Sequence, residues 1–488
     1  MKRGRTMNKV SNIDDHLIEK YNEDIEYDDK FNHTKFSEML ARKYNMIMID
    51  ENIHFFNGEF YQHLDEETMR QLTYLEMPNI KEHQNREVFY KIKAMSIKFK
   101  EEELEPHKLV LNNGVLDLKT HQLYKHSSEH ISTSKIDVTF DQNKRSEKLE
   151  SFITSISNED AQIEQLIYQI IAYCLYKENF IGKTIFFYSA GVKTKNGSNG
   201  KSTILQLIQD FIGKRNTTSL KFKDLSHEFK PARLMGKMVN IDDDMDNTYI
   251  KDTGNYKSIA TGNRINVNPK GKQDFDFTPH NKLLFAGNNI PPASDKTDGF
   301  YRRMVIVPMN RTFGEGYYPK ELGLNKKLNN PDVMSALLNK CLEHLPELLE
   351  TGDFTKVDES DELIQSYKYE NEPVRHFLDM EGERPIHPVD GRAREVAYEI
   401  YRQWAKRYGY EVMKVHSFTK ELIRLGYTVE MARSPYKGYP IRFYHKNSKV
   451  LYDVAPHDID DKYNDSSNII NPQKGSNLYK KIKSVYGE

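Results

Sequence analysis

The stretch Thr184-Ile-Phe-Phe-Tyr188, a glycine-studded loop, and Asn199-Gly200-Lys201-Ser202-Thr203 leading into Ile204-Leu-Gln-Leu-Ile-Gln-Asp-Phe-Ile212 reads as strand, phosphate loop and helix in succession. Glycines let backbone N–H groups wrap a triphosphate, a lysine ammonium reaches its outer phosphates, a hydroxyl at Ser202 can ligate Mg²⁺, and the helix N-terminus adds a favourable dipole. Gly197, Asn199, Gly200, Lys201, Ser202 and Thr203 are therefore the candidate ATP-binding residues. The strict spacing asks for glycine five positions before Gly200, where Lys195 stands; the glycines fall at Gly191, Gly197 and Gly200 instead. The loop is expected to be longer than usual or differently folded.

Outward from this segment, 488 residues suggest roughly three domains. A hydrophobic fraction of 38% describes a polar, surface-rich chain. No apolar run is long enough to span a bilayer, and Met1-Lys-Arg-Gly-Arg-Thr-Met7 leads into charged sequence rather than a hydrophobic signal segment. The only cysteines, Cys174 and Cys341, are far apart and in apolar contexts, which supports neither a disulfide framework nor a cysteine zinc site. A cytoplasmic protein with no membrane partner is expected. A net charge of −1 excludes a surface coated in positive charge but leaves room for a local basic stripe.

Residues 1–34 lack an apolar period and read as a flexible N-terminus. Residues 35–145 read as an α+β domain. Asn57-Gly58 sits between aromatic runs as a hairpin signal, and Leu109 to Leu118, Leu123-Tyr124 and Ile136 to Phe140 read as short strands. Glu147 to Lys177 is helical by period, and residues 146–355 form an α/β core with leading helices. Residues 365–455 form a compact C-terminal unit, and 456–488 a polar tail.

Two further strands carry chemistry. Met238-Val-Asn-Ile241 is closed by Asp242-Asp-Asp244, and carboxylates at a strand end beside a phosphate loop can hold Mg²⁺ and orient water. Asp243 is assigned to the metal with Ser202, and Asp244 to the water; a solvated acidic turn is the plainer reading. Lys282-Leu-Leu-Phe-Ala-Gly287 delivers Asn288, an uncharged amide able to hydrogen-bond either water or the γ-phosphate. The adjacent Arg302 and Arg303 precede the apolar Met304-Val-Ile-Val307 and could stabilise phosphate charge, in the neighbouring subunit's site, although an arginine pair also serves as a surface ion-pair partner.

In this order, Asn199 to Thr203, Asn240 to Asp244, Thr261 to Lys272, Gly287 to Pro291 and Asp298 to Arg303 resemble superfamily 3 helicases of the D5 and phage P4 type. Asn112-Asn-Gly-Val-Leu-Asp-Leu118 is similar to the D5 N-terminal domain, so the resemblance covers roughly residues 35–450. It implies a multidomain α/β protein with a D5-type N-terminal domain, an AAA+/SF3 P-loop ATPase core using ATP and Mg²⁺, and a C-terminal winged helix. It further implies a homo-hexameric ring in a bacterial host cell, moving 3′→5′ on single-stranded and forked DNA for a phage, plasmid or mobile island. Asp244 stands where many relatives carry glutamate.

Ile265-Asn-Val267 and Phe275-Asp-Phe277 flank Asn268-Pro-Lys-Gly-Lys272 as a hairpin with Lys270 and Lys272 at its tip. In the resembled family such a hairpin enters the ring's channel and grips phosphates; by itself, a basic tip also protects a sheet edge. Helices at Arg394 to Arg407 and Ser417 to Leu425, then two strands around Pro435-Tyr-Lys-Gly438, give a winged-helix order. There Lys420, Arg424 and Lys437 are candidate contacts to an origin duplex, against the alternative of a winged helix used for protein contacts.

Three functions compete. A ring helicase initiating replication, served by a host- or element-encoded primase or polymerase, leads. A primase-helicase is disfavoured because the first 140 or so residues offer no convincing Asp-x-Asp strand motif. An AAA-like protein remodeller without a nucleic-acid role is the third.

Overall fold

A computed structural model describes residues 31–50, 52–189, 198–268, 274–314, 318–382, 387–433 and 439–447. Lys195, Gly197, Lys270, Lys272, Lys437, the Pro435–Gly438 turn, residues 1–30 and the tail lie outside them.

The first unit holds helices His33–Lys43, Glu66–Glu76 and Glu82–Met95 against a sheet of β1 (Ile47–Ile49), β2 (Asn52–Phe56), β3 (Tyr61–His63) and β4 (Ile97–Phe99), ordered β3-β2-β1-β4. Asn57-Gly58 makes the expected turn between β2 and β3, with Asn57 N–H donating to Phe60 O at 3.1 Å. A second sheet follows from β5 (Lys108–Leu111), β6 (Gly114–Asp117) and β7 (Leu123–Tyr124). Ile136 to Phe140 is not a strand: beside the isolated bridge of Lys135 with Val110, it meets the sheet through Ile136 N–H donating to Val110 O and Val138 O accepting from Asn112 N–H, both at 2.9 Å. The stretch from Glu147 to Lys177 is likewise two helices, Glu147–Ile156 and Ala161–Leu175. Between them Asn158 and Glu159 take positive φ, and Asp160 caps the second helix by accepting from Gln162 and Ile163 N–H. The apolar stripe continues across the break because both helices pack on one core, which hides the turn from a periodicity reading.

The central sheet is β8 (Thr184–Tyr188), β9 (Thr217–Thr218), β10 (Val239–Asp242), β13 (Lys282–Gly287) and β14 (Met304–Pro308), all parallel and ordered β14-β8-β13-β10-β9. Side chains alternate across it as the strand period demands. Ile185, Phe187, Leu284, Ala286, Val305 and Val307 join the core formed with helices Ala161–Leu175, Lys201–Ile212 and Pro331–Thr351. Phe186, Leu283, Phe285 and Ile306 join the opposite core with Phe222, Tyr256, Phe300 and Tyr367. A sheet buried on both faces explains why these strands read as continuous apolar runs.

Between β10 and β13 the chain makes the hairpin β11 (Ile265–Val267) and β12 (Phe275–Phe277), registered Ile265 to Phe277. The C-terminal part has helices Pro373–Glu381, Arg394–Arg407 and Val415–Arg424 with the antiparallel pair β15 (Thr428–Arg433) and β16 (Pro440–His445), around Phe377, Tyr401, Trp404, Phe418 and Phe443. The first of these helices is not among the elements expected for the C-terminal unit.

Candidate functional site

Register creates the site. Tyr188 and Gly287 are the last paired residues of adjacent parallel strands, so Ser189 and Asn288, the next residues, emerge side by side. Ser189 Oγ donates to Asn288 Oδ1 at 2.8 Å. The chain returns at Ser198, and Gly200 begins helix Lys201–Ile212 with φ +84°, a conformation that favours glycine. A Cβ there would stand 2.7 Å from Ile156 Cγ2, so glycine is required by space as well. Lys201, the first helical residue, donates to Ser189 Oγ and, at 2.8 Å, to Asn288 Oδ1.

Both partners of the Lys201 ammonium are neutral, and burial lowers its pKa. An anion at this helix N-terminus would supply the missing countercharge. The cleft around it encloses about 730 Å³ and is lined by Ser198 to Thr203, Asp243, Asp244, Asn288, Phe313, residues of helix Glu147–Ile156 and the strap from Pro319 to Lys326. That volume suits a nucleotide-sized ligand. Ser202 and Asp243 both line it and offer hard oxygen donors of the kind Mg²⁺ takes.

The segment after β14 braces the residues on either side of the connection between β8 and helix Lys201–Ile212. Met309 N–H donates to Tyr188 O, Phe313 N–H to Ser198 O, and Asn199 Nδ2 to Arg311 O at 3.0 Å. Arg311 is itself held by Asn158 and Glu159 and lies 3.8 Å from the Tyr318 ring centroid. Across the mouth, Glu321 bridges Lys148 at 3.0 Å and Lys327 at 2.7 Å. Neither brace was visible in the sequence, because each joins segments with no local pattern linking them.

Of the three aspartates, Asp243 and Asp244 face the cleft and are exposed, whereas Asp242 is buried and its Oδ2 has no partner among the described residues. Burial chiefly raises the Asp242 pKa, with Asp243 and Asp244 adding to it. Asp242 is the last residue of β10, on the face opposite Ile241 and helix Lys201–Ile212, whereas Asp243 and Asp244 lie beyond the strand.

Arg302 and Arg303 are not in this cleft. Arg303 O accepts from Thr184 N–H at 2.6 Å, at the start of β8, while Ser189 follows its far end. Five strand residues separate the two ends, roughly 16 Å. Arg302 is exposed; Arg303 is tucked against Gly299 O, its pKa lowered by burial and by Arg302. In the C-terminal unit Lys420 is exposed, but Arg424 donates to Glu372 and, at 3.0 Å, to Glu421. Its guanidinium is engaged within the fold.

A five-stranded parallel sheet with a glycine-led helix beginning beyond the strand ends is consistent with a phosphate-loop type of core. Residues 14–158 match the family described as D5 N terminal like, and residues 192–303 match a family of unknown function, DUF5906. A protein of Invertebrate iridescent virus 3 described as "Putative helicase 121R" is 24% identical over 226 residues, 43% of this chain and 23% of the relative. The chain thus spans about a quarter of that relative's length. The apo structure of the NrS-1 C terminal region is similar at 13% identity and TM-score 0.49, covering 85% of this chain and 99% of that one; its A form scores 0.48 at 11% identity, covering 86% and 100%. The chain is thus similar to the D5 N-terminal family over residues 14–158 and, over 226 residues, to a protein described as a helicase. Among the described residues no helix is long and apolar enough to cross a membrane.

Proposed function

We propose that this protein is an ATP-driven, ring-forming DNA helicase that unwinds DNA for replication of a phage or mobile element. The observation that carries the reading is Lys201, a half-buried ammonium at a helix N-terminus with only neutral partners, facing Asn288 in a cleft that Asp243 and Asp244 also line. Such an arrangement binds a triphosphate and favours its cleavage by positioning and charge. Mg²⁺, held by Ser202 and Asp243, would neutralise phosphate charge; Asp244 then orients the attacking water.

Arg302 is the better candidate of the pair for a finger acting on a neighbouring subunit, since it is exposed and far from its own chain's Lys201. The described roots of the β11–β12 hairpin support a tip bearing Lys270 and Lys272 as the grip on single-stranded DNA. Helix Val415–Arg424 followed by the β15–β16 ribbon supports a winged-helix reading, with Lys420 and Lys437 directed at duplex DNA. A hexamer, six such hairpins in one channel, concentrates charge that the near-neutral chain hides.

The test is ATP hydrolysis and forked-DNA unwinding by the purified chain, with and without single-stranded DNA. DNA-stimulated turnover and strand separation, both lost in Lys201→Ala, are expected. Turnover indifferent to DNA would favour a protein remodeller; wild-type turnover in Lys201→Ala would refute the phosphate-site reading.

A further inference from the structure

We infer that Ser189 is a positioning residue that locks the Asn288 amide with its oxygen toward Lys201 and its NH₂ group available to the terminal phosphate of the nucleotide. This rests on the phosphate-site reading above and assigns a role to a residue that no motif marks.

An ammonium only donates, so the Asn288 atom 2.8 Å from Lys201 Nζ is the carbonyl oxygen, not the nitrogen. The same oxygen accepts from Ser189 Oγ at 2.8 Å. Two donors on one side fix the amide's rotation and direct Nδ2 the other way. Asn288 is exposed on the cleft wall, where its amide hydrogens can reach an anion. Asn288 therefore acts as a donor to phosphate rather than as an acceptor that orients water.

Ser189 matters most once phosphate binds. The long lysine chain can then swing toward the anion, which removes one of the two donors from Asn288 Oδ1. Ser189 is only 2% exposed and directly follows the last paired residue of β8, so it cannot follow. Its hydroxyl remains as the one fixed donor that stops the amide from flipping and turning its oxygen toward phosphate.

The role predicts a selective defect. Ser189→Ala should bind a fluorescent ADP analogue within about twofold of wild type. It should lose about tenfold in affinity for a non-hydrolysable ATP analogue and about tenfold in kcat, the scale of one hydrogen bond to a charged group. A merely structural role would lower both affinities alike and reduce the melting temperature. Ser189→Cys, similar in volume with a weaker donor, should show the same selective loss with an unchanged melting temperature, and serves if Ser189→Ala folds poorly. In the double variant with Asn288→Ala, the Ser189 change should add nothing further. Wild-type ADP-to-ATP discrimination and kcat in both Ser189 variants, while Lys201→Ala still abolishes nucleotide binding, would overturn this role alone. Undiminished binding in Lys201→Ala would overturn the phosphate site and this role together.

Discussion

Glu372, whose side chain is fully buried, is paired with Arg424, and through that pair the C-terminal unit is fastened to the loop that leads to Arg302. Tyr301 Oη and Arg375 also donate to Glu372, while Asn371 receives Ala293 N–H at 3.0 Å and donates to Tyr301 Oη at 3.0 Å. Lys296 meets Glu421 at 2.9 Å alongside. Arg424→Ala takes a partner from the buried Glu372 carboxylate and should destabilise by about 3 kcal/mol, and Glu372→Gln by less because the partly exposed Arg424 keeps Glu421 as its partner. Urea unfolding measures both. Lys420→Ala, an exposed change, should leave stability within about 0.5 kcal/mol of wild type and act only on duplex binding. Equal stability of Arg424→Ala and wild type would show that the pair is not a fastening.

The arginine pair gives a second prediction through its asymmetry. Arg303 is held by Gly299 O behind the β8–β14 ladder, and Arg302 projects into solvent. Arg302→Ala should keep its melting temperature and nucleotide affinity yet lose about a thousandfold in the turnover of the assembled ring, the scale of an arginine finger. Mixing Arg302→Ala with Lys201→Ala subunits should restore measurable turnover, since some interfaces then combine an intact lysine with an intact arginine. No recovery on mixing, with both variants still assembling, would place the arginine's effect within its own chain.

These contacts also mark where sequence reading stops. Lys282–Gly287 as a strand and Ile265–Val267 with Phe275–Phe277 as a hairpin were legible because apolar runs and turn residues are local signals. Lys201, Ser202 and Asn288 followed from motif order, and the structure brings them into one cleft. Ser189 was missed because its meaning lies in its register with a residue 99 positions away. Arg424 was read as a free cation because Glu372 is 52 positions distant and only folding buries it. The helix break at Asn158 and Glu159 was hidden by continuous apolar spacing, although Asn158 followed by the capping Asp160 was its one visible trace.

Acid sensitivity follows from histidines buried in the neutral form. Burial, with His63 adding, lowers His54 to about 4; burial, with Lys282 and Lys177 adding, lowers His280 to about 3; burial lowers His376 to about 4. The unfolded chain binds more protons than the folded one between these values and the ordinary 6.5, so their contribution is complete above 6.5 and lost as pH falls toward 4. Glu101 works in the opposite sense: burial, then Asp50, raises it to about 7, so its protonated native form favours stability as pH falls from 7 toward 4.5. Three groups against one predict a melting temperature that drops between about pH 6.5 and pH 5, by about 2–4 °C for each kcal/mol lost. A flat or rising profile across that interval would contradict it.

The hairpin offers the last prediction, because its root is anchored independently of its tip. Asn179 Nδ2 donates to Ile259 O at 2.8 Å, Pro279 O at 3.4 Å and Asn281 O at 3.3 Å, which binds the segments before β11 and after β12 to the connection between helix Ala161–Leu175 and β8. Lys282, buried at the start of β13, donates to Tyr176 O, Glu178 O, His280 O and Asn179 Oδ1 and lies 4.5 Å from the Tyr173 ring centroid. A root held this way should tolerate changes at the tip. Lys270→Ala with Lys272→Ala should therefore leave the melting temperature unaltered while weakening single-stranded DNA binding. If each lysine neutralises one phosphate, the slope of log affinity against log salt should shrink by about 1.4. Asn179→Ala should behave inversely, lowering stability by about 2 kcal/mol because buried carbonyls lose their donor. An unchanged salt slope in the double-lysine variant would remove the tip from the DNA path, since the phosphate contacts it is proposed to make would then lie elsewhere on the ring.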